Sequence, residues 1–174
     1  AKGLDGKQKE LEITPFPFRI GLISAKGSRA YSDFSHQLES AGFPGEVVFK
    51  SCPMQGDAVP GAVEKAITAL KKDDCELIVI TRGGGSAADL RWFDTPEIAY
   101  AIAQSDIPVV CAIGHHDDVC VAEEICFQRQ KTPTAAAEFV LDLFDEARER
   151  IEVAATRLAQ VLERKVEEIG QLRS

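Results

Sequence analysis

Short runs of apolar residues alternate with stretches of helical periodicity over the first two thirds of the chain. Four runs rich in β-branched residues predict strands at 18–23, 46–50, 77–80 and 107–113. Between the runs, helical spacing predicts helices over 29–41 and 58–71, and Thr95 is typical of the N-cap of a third. Alternating strands and helices are typical of a covered parallel sheet. The pattern therefore predicts an α/β fold, a Rossmann-like parallel sheet of about four strands flanked by helices.

Two segments flank this alternation. Residues 1–17 are polar without a clear period, and we expect an extended lead-in. From Thr134 onward, apolar residues recur at spacings of three and four and predict a long C-terminal amphipathic helix, close to a coiled-coil seam. The helix either binds a partner or folds back on the core, and its length favours the partner. The predicted units are an α/β domain with its extended lead-in at 1–133 and the start of the long amphipathic helix at 134–174.

The glycine-rich segment after the third predicted strand is the first candidate for a ligand site. It consists of Arg82, Gly83, Gly84, Gly85 and Ser86. Glycines lack Cβ and let backbone N–H groups approach a ligand, and Ser86 is a suitable cap for a helix that begins directly after it. A helix N-terminus beside a guanidinium suits a phosphate. A turn that needs only flexibility is the alternative, and we favour anion binding.

Parallel topology predicts that the loops after the strands share one edge of the sheet. These loops lie at 24–29, 53–57, 82–86 and 114–118. In open α/β sheets, ligands bind beyond the carboxyl ends of the strands. The chain is therefore expected to carry one site to which several loops contribute.

The loop after the fourth predicted strand carries the second group of candidates. It consists of Gly114, His115, His116, Asp117 and Asp118. Three interpretations stay open: a Zn²⁺ or Mn²⁺ site, a general acid–base histidine oriented by a carboxylate, or a capping aspartate with a solvent-facing histidine. Adjacent histidines point in different directions, which weakens the metal interpretation.

Charge and cysteine content narrow the classes further. A formal net charge of −8 argues against indiscriminate nucleic-acid binding but permits a local basic cleft. Arg129 and Lys131 face either such a cleft or solvent, and Thr134 with Glu138 suggests a helix cap. The five cysteines show no C-x-x-C spacing, so we expect free thiols and a reducing cytoplasm. No apolar run approaches the ~20 residues of a membrane span.

Short motifs over roughly residues 15–140 carry a family resemblance. In chain order they are Pro15-Phe16-Pro17, Arg19-Ile20-Gly21, Gln55-Gly56, Arg82-Gly83-Gly84-Gly85-Ser86, Asp89-Leu90, Phe93, Ile107-Pro108-Val109-Val110, Gly114-His115, Asp118, Arg129 and Thr132-Pro133-Thr134-Ala135-Ala136-Ala137-Glu138. Together they resemble the large subunit of exonuclease VII.

The resemblance implies an exodeoxyribonuclease that hydrolyses single-stranded DNA to oligonucleotides in DNA repair. It implies no cofactor and no requirement for a divalent metal. The implied partners are single-stranded DNA, gripped by a preceding OB-fold, and a small helical subunit bound by the C-terminal helix, which is also a candidate surface for homo-oligomers. We therefore expect a catalytic-domain fragment that is weakly active or inactive alone.

The resemblance also assigns residues. Its implied catalytic residues are Arg82, His115, Asp118 and Asp33, and its implied substrate-binding residues are Gly83, Gly84, Gly85, Ser86, Arg129 and Thr132. Arg82 would hold the scissile phosphate, His115 would move a proton, and Asp118 or Asp33 would orient it. His116-Asp117 stand where the family has Glu-Thr, which leaves open a module that binds a phosphate backbone without cutting it. A small-molecule enzyme that binds a nucleotide phosphate is a weaker alternative.

Overall fold

A single parallel sheet of five strands forms the centre of the computed structural model, which describes residue 4 and residues 6–84, 87–114 and 119–172. The strands are β1 (Arg19–Ser24), β2 (Glu46–Ser51), β3 (Leu77–Thr81), β4 (Val109–Ala112) and β5 (Gln128–Arg129). Their order across the sheet is β2-β1-β3-β4-β5. All four pairings are parallel, so every strand's carboxyl end lies at the same edge.

Helices cover both faces of the sheet, as the alternation predicted. They are α1 (Arg29–Ser40), α2 (Val59–Lys72), α3 (Pro96–Ala103), α4 (Val121–Ile125) and α5 (Pro133–Leu172), with 3₁₀ helices at Gln8–Glu10 and Ala87–Phe93. One core cluster joins α2, α3 and α4 to the sheet, and the other joins α1 and the start of α5 to the opposite face. The two faces divide β3 by alternation, with Ile78 and Ile80 in the first cluster and Leu77 and Val79 in the second.

Close packing explains one glycine in the first strand. A Cβ at Gly21 would lie 2.7 Å from Leu70 Cδ1, well inside van der Waals contact. Glycine at this position therefore lets α2 lie directly on β1.

The prediction of about four strands was one short. β5 has only two residues, too few to show a period, and it is held to β4 because Phe127 N donates to Val109 O and Gln130 N donates to Cys111 O. The segment after the glycines was predicted to begin a helix, and residues 87–93 form a 3₁₀ helix instead of an α-helix. The five-residue α4 was not predicted.

The N-terminal segment is more ordered than its polar composition suggested. Gln8 is buried in a 3₁₀ turn, where its Nε2 donates to Ile102 O and Ser105 O at 2.9 Å. Its Oε1 accepts from Val109 N at 2.8 Å. An amide that satisfies backbone groups leaves no apolar period, so hydrophobic patterning does not indicate this contact.

The long helix begins one residue before the predicted boundary and leaves the core after about four turns. Its cap is Thr132, whose Oγ1 accepts from Ala135 N at 3.0 Å, and not Thr134. Ala136, Ala137 and Val140 are buried, whereas all residues over 148–168 are exposed. The projection predicted for this helix is therefore present, and the alternative of folding back is wrong. Within the described residues, no helix combines the length and apolar character needed to span a membrane.

Candidate active site

The carboxyl ends of β1, β3 and β4 are joined by direct contacts, as the predicted convergence of their loops requires. Ser24 Oγ donates to Thr81 O at 3.1 Å, and Arg82 N donates to Ala112 O at 3.0 Å. Gly83 lies against the first turn of α1, since a Cβ there would be 3.7 Å from Ala30 N. The first glycine of the candidate segment and the N-terminus of α1 are therefore neighbours.

The N-terminus of α1 is capped within the same edge. Ser28 Oγ accepts from Tyr31 N at 3.2 Å, and Gly27 before it has φ +70°, which favours glycine. Helix N-termini carry partial positive charge and attract anions. The turn after β1 thus places a positive helix end beside Gly83.

Arg82 is a buried cation at the end of β3, with a side chain that is only 5% exposed. Its Nη2 lies 3.3 Å from Asp89 Oδ2, on the 3₁₀ helix that follows the glycines. Gln55, from the loop after β2, donates its Nε2 to the same Oδ2 at 2.9 Å. Three segments therefore fix the orientation of one guanidinium.

A second ion pair holds the end of β4, and sequence reasoning missed its acidic member. Glu123 of α4 has a side chain with 0% exposure. Its Oε1 accepts from Ile113 N at 3.1 Å and from Gly114 N at 2.9 Å, while Oε2 lies 3.2 Å from Arg129 Nε. A glutamate among the apolar residues of α4 was the only signal, and a solvated glutamate gives the same one.

The far end of the loop after β4 is held as well. Asp94 Oδ1 accepts from Val121 N at 2.8 Å, at the start of α4. Cys120, the N-cap residue of α4, makes no side-chain cap. The segment between Gly114 and Val121 is therefore anchored at both ends by carboxylates from other parts of the chain.

Six of the candidate residues lie outside the described part of the chain: Gly85, Ser86, His115, His116, Asp117 and Asp118. Their predicted roles, including the meeting of Arg82 with His115, stay hypotheses. The neighbouring Gly84 and Gly114 are described and follow β3 and β4 at the shared edge.

The remaining candidates are described and have specific contacts. Asp33 lies on α1 with a side chain 42% exposed, and its Oδ2 is 3.6 Å from Arg29 Nε. Arg129 pairs with Glu123, and Thr132 caps α5. Each of these contacts uses a side chain that the resemblance assigned to substrate binding or catalysis, so the structure shows a structural contact while the assigned role stays a prediction.

All five cysteines are free and buried, which argues against a thiolate nucleophile. Burial raises the pKa of Cys75 to about 11 and the pKa of Cys120 to about 12. The thiols of Cys75 and Cys120 therefore stay neutral near pH 7 and pack as small apolar groups.

A parallel α/β sheet with a buried arginine and a helix N-terminus at its carboxyl edge defines a class of domain suited to an anionic ligand. The family model for exonuclease VII, large subunit, matches residues 5–173. This chain therefore belongs to the exonuclease VII large subunit family, and the resemblance found in its motifs is confirmed.

Among solved structures, the chain is similar to a cobalamin-binding protein from Desulfitobacterium hafniense DCB-2. The two share 13% identity with a TM-score of 0.47, over 72% of this chain and 58% of that one. The chain thus spans somewhat more than half the length of that structure, and a likeness this distant does not bear on function.

Proposed function

We propose that this chain is the catalytic domain of an exonuclease VII large subunit and hydrolyses phosphodiester bonds of single-stranded DNA to oligonucleotides. One observation carries the proposal. In a chain of this family, the buried guanidinium of Arg82 is held 3.3 Å from Asp89 at the carboxyl edge of the sheet, beside Gly83 and the N-terminus of α1.

Arg82 supplies the positive charge in the proposed reaction. It binds the scissile phosphate together with backbone N–H groups of 83–86, and it stabilises the negative charge that grows in the transition state. Water oxygen bonds to phosphorus, one ester P–O bond breaks, and the leaving oxygen takes a proton. His115 moves that proton, and Asp118 or Asp33 orients the imidazole.

The proposal uses no cofactor and no divalent metal. The fixed guanidinium takes the part that a metal ion plays when it neutralises a transferring phosphoryl group. We therefore expect turnover to continue in excess EDTA. Turnover that disappears in EDTA and returns with Mg²⁺ or Mn²⁺ would contradict this part of the proposal.

The projecting half of α5 is proposed to bind the small helical subunit. Its exposed apolar side chains include Ile151, Leu158, Leu162 and Val166, at helical spacings along one stripe. Leu158→Glu with Leu162→Glu should abolish co-purification of the small subunit, because two charges would enter the apolar seam. Arg157→Glu is the matched control on the same segment. A homo-oligomer through this stripe predicts instead that the double variant lowers the mass of the large subunit alone.

Buried free thiols support a reducing, cytoplasmic setting.

The decisive experiment measures release of oligonucleotides from labelled single-stranded DNA. The protein is a full-length large subunit assembled with its small subunit, and the variant is His115→Ala. His36→Ala, an exposed histidine of α1, is the control. We expect turnover in the parent and control and a loss of at least about 10²-fold in His115→Ala. Tight DNA binding without turnover in all three would favour the alternative, a binding module, which His116-Asp117 suggests.

A further inference from the structure

Glu123 is a buried carboxylate, and packing alone does not explain why a charged group lies there. A carboxylate with 0% exposure is costly to bury unless it is paired and hydrogen-bonded. Here it accepts two backbone N–H groups, from Ile113 and Gly114, and its second oxygen faces Arg129. Oε1 therefore accepts two hydrogen bonds, and Oε2 faces the guanidinium of Arg129 as an ion pair without hydrogen-bond geometry.

The two backbone groups lie at a specific place in the chain. Ile113 and Gly114 follow the last residue of β4, and the next residue in the sequence is His115. Hydrogen bonds to a charged acceptor are stronger than those between neutral groups. Glu123 therefore holds the backbone directly before His115, and it does so more firmly than a neutral side chain would.

Arg129 makes this burial tolerable and adds direction. Its guanidinium balances the charge of Glu123 and lies on β5 beside β4, and Gln130 N, directly after β5, donates to Cys111 O. The carboxylate is thus held between the strand that carries Gly114 and its neighbouring strand. A shift of α4 against the sheet would be transmitted to Gly114.

We infer that Glu123 is a positioning residue for His115, acting through the backbone of Ile113 and Gly114. This inference rests on the proposed function for its catalytic consequence. Its structural content, a loop set by a buried carboxylate, is independent of the reaction. A carboxylate that only fills space on α4 is the competing explanation.

The test compares Glu123→Gln with Glu124→Gln in the full-length, assembled enzyme. The neighbouring Glu124 is exposed, which makes it a matched control on the same helix. The carboxamide keeps the shape of glutamate but turns an N–H donor toward Arg129 or toward the loop backbone. We expect kcat to fall about 10²-fold, as for a 1 Å misplacement, with KM within about threefold of the parent. In a His115→Ala background, the same substitution should cause no further loss.

Glu123→Asp guards against a variant that fails to fold. It keeps the charge and the pairing with Arg129 but shortens the side chain by one methylene, so the carboxylate no longer reaches both N–H groups. We expect an intermediate loss of kcat and a modestly lower urea midpoint with cooperative unfolding, because a buried methylene and a hydrogen bond are lost. A kcat that stays at the parent value in both folded variants would overturn the inference.

A readout without turnover separates this inference from the proposed function. Amide exchange of Ile113 and Gly114 should quicken at least tenfold in Glu123→Gln, and the imidazole signals of His115 should shift, while Glu124→Gln changes neither. The imidazole signals of His115 are identified by their absence from the spectrum of His115→Ala. An inactive parent enzyme would refute the proposed function, yet these signals would still decide the role of Glu123. Amide exchange and imidazole signals that stay unchanged in Glu123→Gln would overturn the inference that Glu123 positions His115.

Discussion

The ends of β3 and β4 each hold one guanidinium–carboxylate pair, and the two pairs are built the opposite way round. At the end of β3 the cation is buried, with Arg82 5% exposed and Asp89 25% exposed. At the end of β4 the anion is buried, with Glu123 0% exposed and Arg129 30% exposed. In each pair the more exposed partner balances the charge of the buried one, and the buried Glu123 also accepts the N–H groups of Ile113 and Gly114.

The difference indicates a division of labour across the edge. A buried arginine is charged at any working pH and attracts a phosphate. A buried glutamate repels a phosphate, and this one spends its oxygens on backbone N–H groups and Arg129. Under the proposed function, the end of β3 would bind the charge of the substrate, and Glu123 would hold the backbone of Ile113 and Gly114 at the end of β4.

The largest effect should come from Arg82→Gln. Removing the cation should lower turnover of single-stranded DNA by about 10³-fold, because transition-state charge loses its main stabiliser. The free energy of unfolding should change by only about 1 kcal/mol, since Gln can still bond Asp89, which water reaches. Arg91→Gln, at an exposed arginine of the 3₁₀ helix Ala87–Phe93 that carries Asp89, is the control. Near-parent turnover in Arg82→Gln would break the comparison at its first step.

Arg129→Met should act mainly on stability, the reverse of Arg82→Gln, which acts mainly on turnover. It leaves the carboxylate of Glu123 buried without its cation, and removing one partner of a buried pair costs about 3 kcal/mol or more. Urea unfolding measures the loss, and Arg148→Met, which removes two exposed ion pairs on α5, should cost less than about 1 kcal/mol. Equal losses in the two variants would mean that the burial of Glu123 does not depend on Arg129.

Sequence patterns predicted the strands and helices around this site better than the side-chain contacts that hold it together. Apolar runs and helical spacing located the sheet, its covering helices and the edge where Arg82 lies, because burial leaves a period in the sequence. The partners of Arg82 and Gly114 left no such trace. Asp89, Gln55 and Glu123 are polar residues in loops or short helices, and their contacts span separations that no local pattern records.

The glycine segment shows a related limit. Three adjacent glycines suggested a backbone that a Cβ would obstruct. At Gly83, however, a Cβ would meet Ala30 N at 3.7 Å, an ordinary contact. Packing against α1 therefore does not require glycine there, so the approach of a ligand and the flexibility of a turn both stay open as reasons, and the proposal uses the first.

Asp89→Asn should lower turnover less than Arg82→Gln does. The amide oxygen still accepts from Arg82 or Gln55, but the charge that fixes the guanidinium is gone. Turnover should fall about tenfold, below the hundredfold of a 1 Å displacement. Asp57→Asn, an exposed aspartate in the loop after β2, is the control. A loss as large as that of Arg82→Gln would place Asp89 in the chemistry itself.

The smallest effect concerns the buried thiols, which distinguish the two ends again. Cys111, Cys120 and Cys126 lie in β4 or between β4 and β5, whereas 77–93, which contains β3 and Arg82, has no cysteine. Burial raises the pKa of Cys120 to about 12, from 9.0 for an unperturbed thiol. Between about pH 9 and 12 the unfolded chain therefore releases this proton while the folded chain keeps it. Stability from this group is complete below pH 9 and falls as pH rises.

Cys120→Ala isolates this contribution. The variant should be less stable than the parent at pH 8.5, because a packed sulfur is lost. The gap should narrow by about 1 kcal/mol by pH 10, since only the parent carries the thiol whose ionisation favours unfolding. Urea unfolding at several pH values measures both free energies, and other titrating groups cancel in their difference. A gap that widens with pH would mean that the fold stabilises the thiolate of Cys120, and that burial does not raise the pKa of this thiol.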